Sequence, residues 1–298
     1  MSAFVQSTPL VDLPGIGLDG LCANWSIQNI QVCVKNSGHL AAQAETLQRI
    51  RGAMGREMYA SASKSAQDNR PCTFTPTCAY DLFHRVQGKL PNKRSIPMPY
   101  VIECDPIGQD LLVTVRLFGR AVYWVHEFRA ALVAGLRKGL IDNSGRLHPQ
   151  TISASQIGET TGVHIHNLDA PIVIDFLTPV LQSRNGVPIF EPLSLLTGLA
   201  ARIAGMAWWH NSTLLLDAFS VDAAARRLLA GAQSYTDEAK FLRGHGNQNR
   251  ATVQTGTTGW LRCPAPTSPL SIILQLGVQT HFGAKTSAGA GRYLLKLE

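Results

Sequence analysis

Long apolar runs are absent from this sequence. No segment reaches the roughly 18 consecutive apolar residues that a membrane-spanning helix needs. Residues 1–12 also lack the basic start and apolar core of a secretory signal. We therefore expect a cytoplasmic protein, in which the six cysteines are reduced.

Metal-ligand patterns are scarce as well. Cys72 and Cys78 are spaced too widely for a CxxC pair, and no second pair of cysteines or histidines stands near them, so we interpret them as turn or core residues. His164 and His166 alternate on one strand-like face and would supply half of a metal site. We interpret them as a solvated strand end and predict no metal and no other cofactor.

Charged residues are few, at 16% of the chain, whereas hydrophobic residues make up 45%. This composition indicates a buried core and argues against disorder. The length of 298 residues suits one large domain or two ordinary ones. Lys and Arg number 27 against 20 Asp and Glu, and the resulting charge of +7 favours a polyanionic partner.

The first half alternates between strand and helix patterns. Residues 26–35 place apolar side chains at every second position, and residues 39–63 place them at every third or fourth. Three further strands and one helix follow, at 100–104, 111–118, 122–138 (the helix) and 147–157. The order strand, helix, strand, strand, helix, strand predicts a ferredoxin-like domain.

The second half repeats this order loosely. The predicted elements are a strand at 172–177 ended by Thr178-Pro179, a helix at 192–209, a polar region at 217–249 that is helix-prone at first, a strand at 259–263, a short helix at 270–276 and a last strand at 289–297. We therefore predict an α+β protein of two tandem ferredoxin-like domains, residues 1–165 and 166–298.

Glycines concentrate near the C-terminus, and basic residues stand among them. The segment contains Gly277, His281, Gly283, Lys285, Gly289, Gly291 and Arg292. Glycine lets a backbone approach a phosphate and offer its N–H groups, and the cations add attraction. The pattern predicts a glycine-rich phosphate-binding loop, although a tight connection between a helix and a strand would look the same.

Taken in order, these segments resemble the repeat-RNA endoribonucleases of the RAMP superfamily in CRISPR systems. The matching segments are Arg51-Gly52-Ala53-Met54-Gly55 on the first helix, 78–83, Leu117-Phe118-Gly119, 175–179, 255–260 and the C-terminal glycine segment. The resemblance extends from Ser26 to Leu297. It supports the RRM-like (ferredoxin-like) double fold.

The resemblance implies cleavage of precursor CRISPR RNA beside a repeat hairpin. The 2′-hydroxyl attacks the adjacent phosphate without a metal and leaves a 2′,3′-cyclic phosphate and a 5′-hydroxyl. Relatives place a catalytic histidine near the first helix, and His39 is the nearest candidate here. Arg49, Arg51 and Tyr59 are the other catalytic candidates, although Arg51 can equally brace the fold and Tyr59 can merely pack.

The remaining candidates are expected to hold the RNA. They are Arg56, Lys64, Lys93, Arg94, Arg243, Arg250, His281, Gly283, Lys285, Gly289, Gly291 and Arg292. Cations in irregular segments suit phosphates, and RNA hairpins are bound mostly by shape and phosphate contacts. The expected partners are the repeat stem-loop and other CRISPR effector subunits, with no membrane.

Two other functions fit the same elements. A non-catalytic RAMP subunit would only bind or cap guide RNA. A metabolic ferredoxin-like enzyme would use His164 and His166 on a metal, and the ordered RAMP motifs argue against it. The sequence departs from the family at 139–146, which lacks the compact glycine motif, and at 217–249, where little matches.

Overall fold

The structure is a computed structural model that describes residues 13–43, 45–85, 87–90, 93–142, 144–184, 187–245 and 248–298. For residues 160–161, 242–245 and 248–253 it describes the backbone alone. The contacts divide the chain into two compact units. Unit 1 takes in residues 26–160 and 242–252, and unit 2 takes in residues 15–25, 161–241 and 253–298. The predicted division into residues 1–165 and 166–298 stays a prediction.

The α-helices differ in length and position between the units. They are α1 (Leu18–Ala23), α2 (Thr46–Ala60), α3 (Lys64–Gln67), α4 (Ala79–His84), α5 (Val125–Lys138), α6 (Pro192–Ala207), α7 (Ala218–Leu229) and α8 (Leu270–Thr280). Short 3-10 turns precede or follow several of them, at Gly38–Ala42, Gly119–Trp124, Trp208–His210 and Thr286–Ala288.

The strands include long sheet members and very short pairs. They are β1 (Gly15–Ile16), β2 (Ser26–Val34), β3 (Tyr100–Ile107), β4 (Asp110–Phe118), β5 (Leu140–Ile141), β6 (Leu147–His148), β7 (Ile152–Thr161), β8 (Ile172–Val180), β9 (Ser183–Arg184), β10 (Val187–Pro188), β11 (Thr213–Leu214), β12 (Gln233–His245), β13 (Gln248–Cys263) and β14 (Tyr293–Leu297).

Unit 1 contains a four-stranded antiparallel sheet in the order β3-β4-β2-β7. β2 pairs with β4 from Ile27 opposite Phe118 to Val34 opposite Leu111. Helices α2 and α5 pack against each other, and Gly135 of α5 lies so close to α2 that a Cβ there would come within 2.7 Å of the Ala53 carbonyl group. The sequence order and the sheet order are those of a ferredoxin-like domain.

Unit 2 contains a second four-stranded sheet, in the order β12-β13-β8-β14. With β8 as its first strand, this is the strand order of unit 1. α6 and α8 pack together at Gly277, where a Cβ would lie 2.6 Å from a methyl carbon of Leu199. The buried Tyr293 of β14 donates its hydroxyl to the Leu274 carbonyl and so ties the last strand to α8. The predicted α+β fold of two ferredoxin-like domains is therefore confirmed.

Several predicted boundaries in unit 1 were wrong. The helix expected at 39–63 begins at Thr46, after a separate 3-10 turn, and the helix expected at 122–138 begins at Val125. The fourth strand is β7 rather than 147–157, because Leu147 and His148 pair with Leu140 and Ile141 outside the main sheet.

The observed boundaries in unit 2 also differ from the predicted ones. β8 continues past Pro179 to Val180, and a central strand tolerates this proline because β14 begins only opposite Phe176. β12 was missed within the polar region 217–249. β13 begins well before Gly259, α8 continues to Thr280, and the last strand begins at Tyr293 rather than Gly289.

None of the helices in the described ranges has the length and apolar character to cross a membrane.

Candidate functional site

His39 lies on the 3-10 turn that leads into α2, and its side chain is exposed. Two hydrogen bonds fix this turn. The Gly38 N–H donates to the Gln109 carbonyl at the β3–β4 turn, at 2.8 Å, and the Thr46 hydroxyl donates to the Leu40 carbonyl at 2.7 Å. His39 is therefore an exposed residue on a fixed turn just before the N-terminal end of α2.

Arg49 lies at the same end of α2. Its guanidinium donates to the Glu45 carboxylate at 3.0 Å, and both side chains are partly exposed. The pair is near the surface, where an ion pair contributes about 0–1 kcal/mol. A phosphate group can therefore compete for this guanidinium at small cost.

Arg51 points towards an aromatic cluster. Its Nε donates to the Tyr100 hydroxyl at 3.0 Å, and Tyr100 is fully buried. Phe83 and Phe128 contact the Tyr100 ring edge-on or nearly so, with centroids 5.7 and 5.3 Å away. This geometry supports the bracing role that the sequence left open for Arg51.

His84, at the end of α4, lies beside Arg51 and α2. The pKa of His84 is lowered to about 3, mainly because the ring is buried and to a smaller extent because Arg51 is positively charged. Its Nε2 is enclosed and has no hydrogen-bond partner among the described residues. A Cβ at Gly55 would lie 2.8 Å from the His84 ring, so the second glycine of the Arg-Gly-Ala-Met-Gly motif makes room for this imidazole.

Tyr59 lies at the opposite end of α2 from His39. It is 44% exposed and contacts Tyr80 edge-to-face at 5.2 Å, and Tyr80 in turn stacks on His84 at 5.4 Å. At 1.5 Å of rise per residue, Tyr59 lies about 20 Å along the helix from its first residue. Tyr59 and His39 are therefore not brought together.

Arg56 lies near this second end of α2, and Lys64 is the first residue of α3. The exposed Arg56 donates to the Gly139 carbonyl at 3.1 Å, and Lys64 pairs with Asp68 at 3.0 Å. We call these two exposed cations and the exposed ring of Tyr59 the Tyr59 surface.

The other predicted cations of unit 1 lie on loops and strands. Lys93 and Arg94 are exposed in a turn closed by the Leu90 N–H donating to the Arg94 carbonyl, at 2.7 Å. Arg243 lies on β12 and Arg250 on β13. The side chains of Arg243 and Arg250 lie outside the described residues.

In the C-terminal segment the backbone folds back on the protein. His281 is fully buried with φ of 67°, and its N–H donates to the Gly277 carbonyl at 2.7 Å. Gly283 has φ of 72°, and a Cβ there would lie 2.8 Å from the Leu181 carbonyl oxygen. These contacts favour a role for His281 in bracing the segment over an RNA contact.

The rest of this segment is exposed at Ala284 and Lys285. The Lys285 side chain is exposed, whereas Gly289 and Gly291 are buried and Arg292 is half-buried. A Cβ at Gly291 would collide with the Phe282 carbonyl. The glycines thus fit a tight connection between α8 and β14, and their role in binding RNA stays a prediction.

Among the described residues, metal-ligating side chains do not cluster. In the described parts of the chain, no group of three His, Cys, Asp or Glu residues could hold a metal ion. The exposed rings of His164 and His166 contact each other edge-to-face at 5.2 Å. Gln275 fixes their segment through hydrogen bonds with the His166 N–H and carbonyl, at 2.8 and 2.9 Å.

Solved structures share this double fold over nearly the whole chain. The Cas6 protein TTHA0078 in a product complex is 14% identical with a TM-score of 0.50, covering 92% of this chain and 99% of its own. The Thermus thermophilus Cas6 protein TTHB231, also in a product complex, is 15% identical with a TM-score of 0.50, covering 90% and 99%. The chain has the Cas6 fold.

Comparisons by sequence match a smaller part of the chain than the comparisons by structure do. A family model described as AF_1859_N, N-terminal domain, matches residues 26–171, just under half of the chain. No match was found among curated protein sequences.

Within the Cas6 fold, sequence analysis missed Tyr80, His84 and Tyr100. The segment 78–83 was singled out only as a motif, although Tyr80 and His84 are spaced to share one face of a helix. That spacing was a usable signal. The contact of Arg51 with Tyr100 has no such signal in the sequence, because it joins a helix to a strand far along the chain.

Proposed function

We propose that the protein is an endoribonuclease that cleaves precursor CRISPR RNA at the repeat hairpin without a metal. The observation that carries this proposal is the near full-length similarity in fold to Cas6 product complexes. The ordered RAMP motifs of the sequence and the exposed His39 beside α2 support it.

In this proposal His39 is the residue that takes a proton from the 2′-hydroxyl or gives one to the leaving 5′-oxygen. A 2′-hydroxyl needs a base within hydrogen-bond reach to attack the adjacent phosphate, and the leaving 5′-oxygen needs an acid. The exposed imidazole of His39, on a turn fixed by the hydrogen bonds of Gly38 and Thr46, supports this role. The products are a 2′,3′-cyclic phosphate and a 5′-hydroxyl.

Arg49 supplies positive charge to the phosphorane in this scheme. It shares the N-terminal end of α2 with His39, and its exchange of Glu45 for a phosphate oxygen costs little. Arg51 acts as a positioning residue, because its hydrogen bond to Tyr100 ties α2 to the sheet.

The Tyr59 surface and the loop cations Lys93 and Arg94 hold the RNA in this proposal. Exposed aromatic rings stack on unpaired bases, and cations bind phosphates. The overall charge of +7 adds attraction at longer range. We further propose that the protein stays bound to the mature RNA and works beside other CRISPR subunits.

The test is cleavage of a labelled repeat RNA in EDTA, with and without a 2′-deoxy substitution at the cut site. We expect cutting in EDTA, its loss with the 2′-deoxy RNA, and a 2′,3′-cyclic phosphate on the upstream product. His39→Ala should reduce the rate constant by about 100-fold or more, as expected for loss of a general base or acid.

Two variants sharpen the result. His126→Ala removes another exposed histidine of unit 1 and should cleave like the wild type. Arg49→Ala should slow cleavage with little change in affinity. Tight binding of the repeat with no cleavage would contradict the catalytic proposal and favour the subunit that only holds RNA.

A further inference from the structure

Two cysteines lie on the loop between α3 and α4, and the loop backbone is arranged around one of their sulfur atoms. The Cys72 Sγ accepts the N–H of Cys78 at 3.2 Å and the N–H of Phe74 at 3.4 Å. Two N–H groups directed at one sulfur stabilise a thiolate more than a thiol.

Side chains complete this arrangement. The Ser63 hydroxyl and the Cys78 thiol are further hydrogen-bond partners of Cys72, and the 3.2 Å contact between the Cys78 N–H and the Cys72 Sγ places the two cysteines side by side. Burial alone would raise the pKa of the Cys72 thiol, but these hydrogen bonds, with those from the Cys78 and Phe74 N–H groups, lower it to about 7. Burial raises the pKa of Cys78.

The pair lies next to a solvent-exposed stretch of the loop. Cys72 is 5% exposed, Cys78 is half-buried, and residues 73–76 between them are exposed. Two of the other cysteines differ. Burial raises the pKa of Cys263 to about 12, and it also raises the pKa of Cys22. A stabilised thiolate beside a second thiol is the arrangement of an attacking and a resolving cysteine.

We propose that Cys72 and Cys78 are a peroxide-reactive dithiol that closes into an intramolecular disulfide. The site belongs to unit 1 and does not depend on the proposed ribonuclease activity.

The reaction has two steps. The Cys72 thiolate attacks one peroxide oxygen, the S–O bond forms as the O–O bond breaks, and the other oxygen leaves and takes up a proton as water or an alcohol. Cys78 then attacks the Cys72 sulfenic acid, the S–S bond forms as the S–O bond breaks, and the hydroxide leaves as water with the proton of Cys78. The dithiol is oxidised by two electrons and the peroxide is reduced.

The disulfide would act on α4, because Cys78 is the residue that precedes this helix. α4 carries Tyr80 and His84, which contact Tyr59 and the Gly55 side of α2. Oxidation would thus tie the loop to the helix that supports the Tyr59 surface.

The experiment uses the full reduced chain and hydrogen peroxide. Free thiols are blocked with N-ethylmaleimide at intervals, and peptides are mapped by mass spectrometry. We expect a Cys72–Cys78 linked peptide before any other cysteine is oxidised. In the untreated wild type, alkylation of Cys72 should be half-maximal near pH 7 and at that pH about tenfold faster than that of Cys33.

Variants separate the two roles. Cys78→Ser should leave a Cys72 sulfenic acid that dimedone traps, and Cys33→Ser, which removes a half-buried cysteine elsewhere in unit 1, should react like the wild type. The proposal is overturned if Cys72 alkylates no faster than Cys33, or if the first disulfide joins two chains on a non-reducing gel. The wild-type alkylation profile decides the matter even if a variant fails to fold.

Discussion

At the scale of single residues, the clearest environment is that of His84. The unfolded chain binds a proton at this position near pH 6.5, whereas the folded chain does so only near pH 3. Between these values the unfolded state holds more protons. The free energy of unfolding contributed by His84 is therefore fully present above about pH 6.5 and is lost as the pH falls towards 3.

We predict a corresponding pH slope in stability. For the wild type, His84 should lower the free energy of unfolding by up to about 1.4 kcal/mol per pH unit between pH 6 and pH 4. Urea unfolding of the wild type and His84→Gln at several pH values measures it, and the variant should lose this part of the slope. His126→Gln, at an exposed histidine, should keep it. Identical slopes for wild type and His84→Gln would contradict the buried neutral imidazole.

The two glycines of the α2 motif should behave oppositely. A Cβ at Gly55 meets the His84 ring, so Gly55→Ala should destabilise the protein by about 1–3 kcal/mol through overpacking. A Cβ at the exposed Gly52 has nothing nearer than the end of Arg56, so Gly52→Ala should stabilise by about 0.5–1 kcal/mol through helix propensity. Thermal unfolding compares them. A stable Gly55→Ala protein would show that His84 moves aside freely.

This motif is visible in the sequence, but its role in packing is not. The pattern Arg51 to Gly55 marked a family resemblance, yet the two glycines look alike as letters. Their difference depends on whether a residue of α4 lies opposite, and that requires the tertiary structure.

At the scale of elements, helix ends were less predictable than helix faces. The apolar stripes of α2, α5 and α6 could be read from their spacing, because a buried face repeats every three to four residues. β12 could not be predicted in this way. Residues 233–238 are all exposed, and an exposed edge strand shows no alternation of apolar and polar residues.

The N-terminus of α7 carries a testable cap. The Asp217 carboxylate accepts hydrogen bonds from the N–H groups of Phe219 and Ser220, at 3.2 and 3.0 Å. The hydrogen bond from the Ser220 hydroxyl lowers the pKa of Asp217 most, and the two N–H groups lower it further. We expect Asp217→Ala to lower the free energy of unfolding by about 1 kcal/mol.

Asp222→Ala is the matched control for this cap on the same helix. It removes an exposed pair with Arg226 and should cost only about 0.3–0.5 kcal/mol. Chemical denaturation measures both variants. Equal losses would mean that the Asp217 carboxylate does not act as a cap.

At the scale of the whole molecule, the double fold was predictable because two sets of elements follow one order. Both sheets then adopt the same strand arrangement, and the solved Cas6 structures extend it over the chain. The candidate site was less predictable. The predicted catalytic residues all lie on or next to α2, yet the helix separates Tyr59 from His39, and their distance along it follows only from where α2 begins.

The net charge of +7 leads to a prediction for RNA binding. If Lys93 contacts a phosphate, Lys93→Ala should reduce the slope of log Kd against log salt by about 0.7–1. Filter binding of the repeat hairpin at several salt concentrations measures the slope. Lys296→Ala changes the net charge equally but removes a residue paired with Asp175, and it should leave the slope unchanged. An equal decrease in both variants would indicate an effect of overall charge rather than a contact.

The two units interleave along the chain, and this matters while the protein is being made. A ribosome releases residues in order, and residues 242–252 of unit 1 emerge only after α6 and α7 of unit 2. Unit 2 includes residues 15–25, which are released early. It also includes α8 and β14, which are released after residues 242–252. Neither unit has its complete set of residues until residues beyond 241 have been released, so both should finish folding late and close together in time.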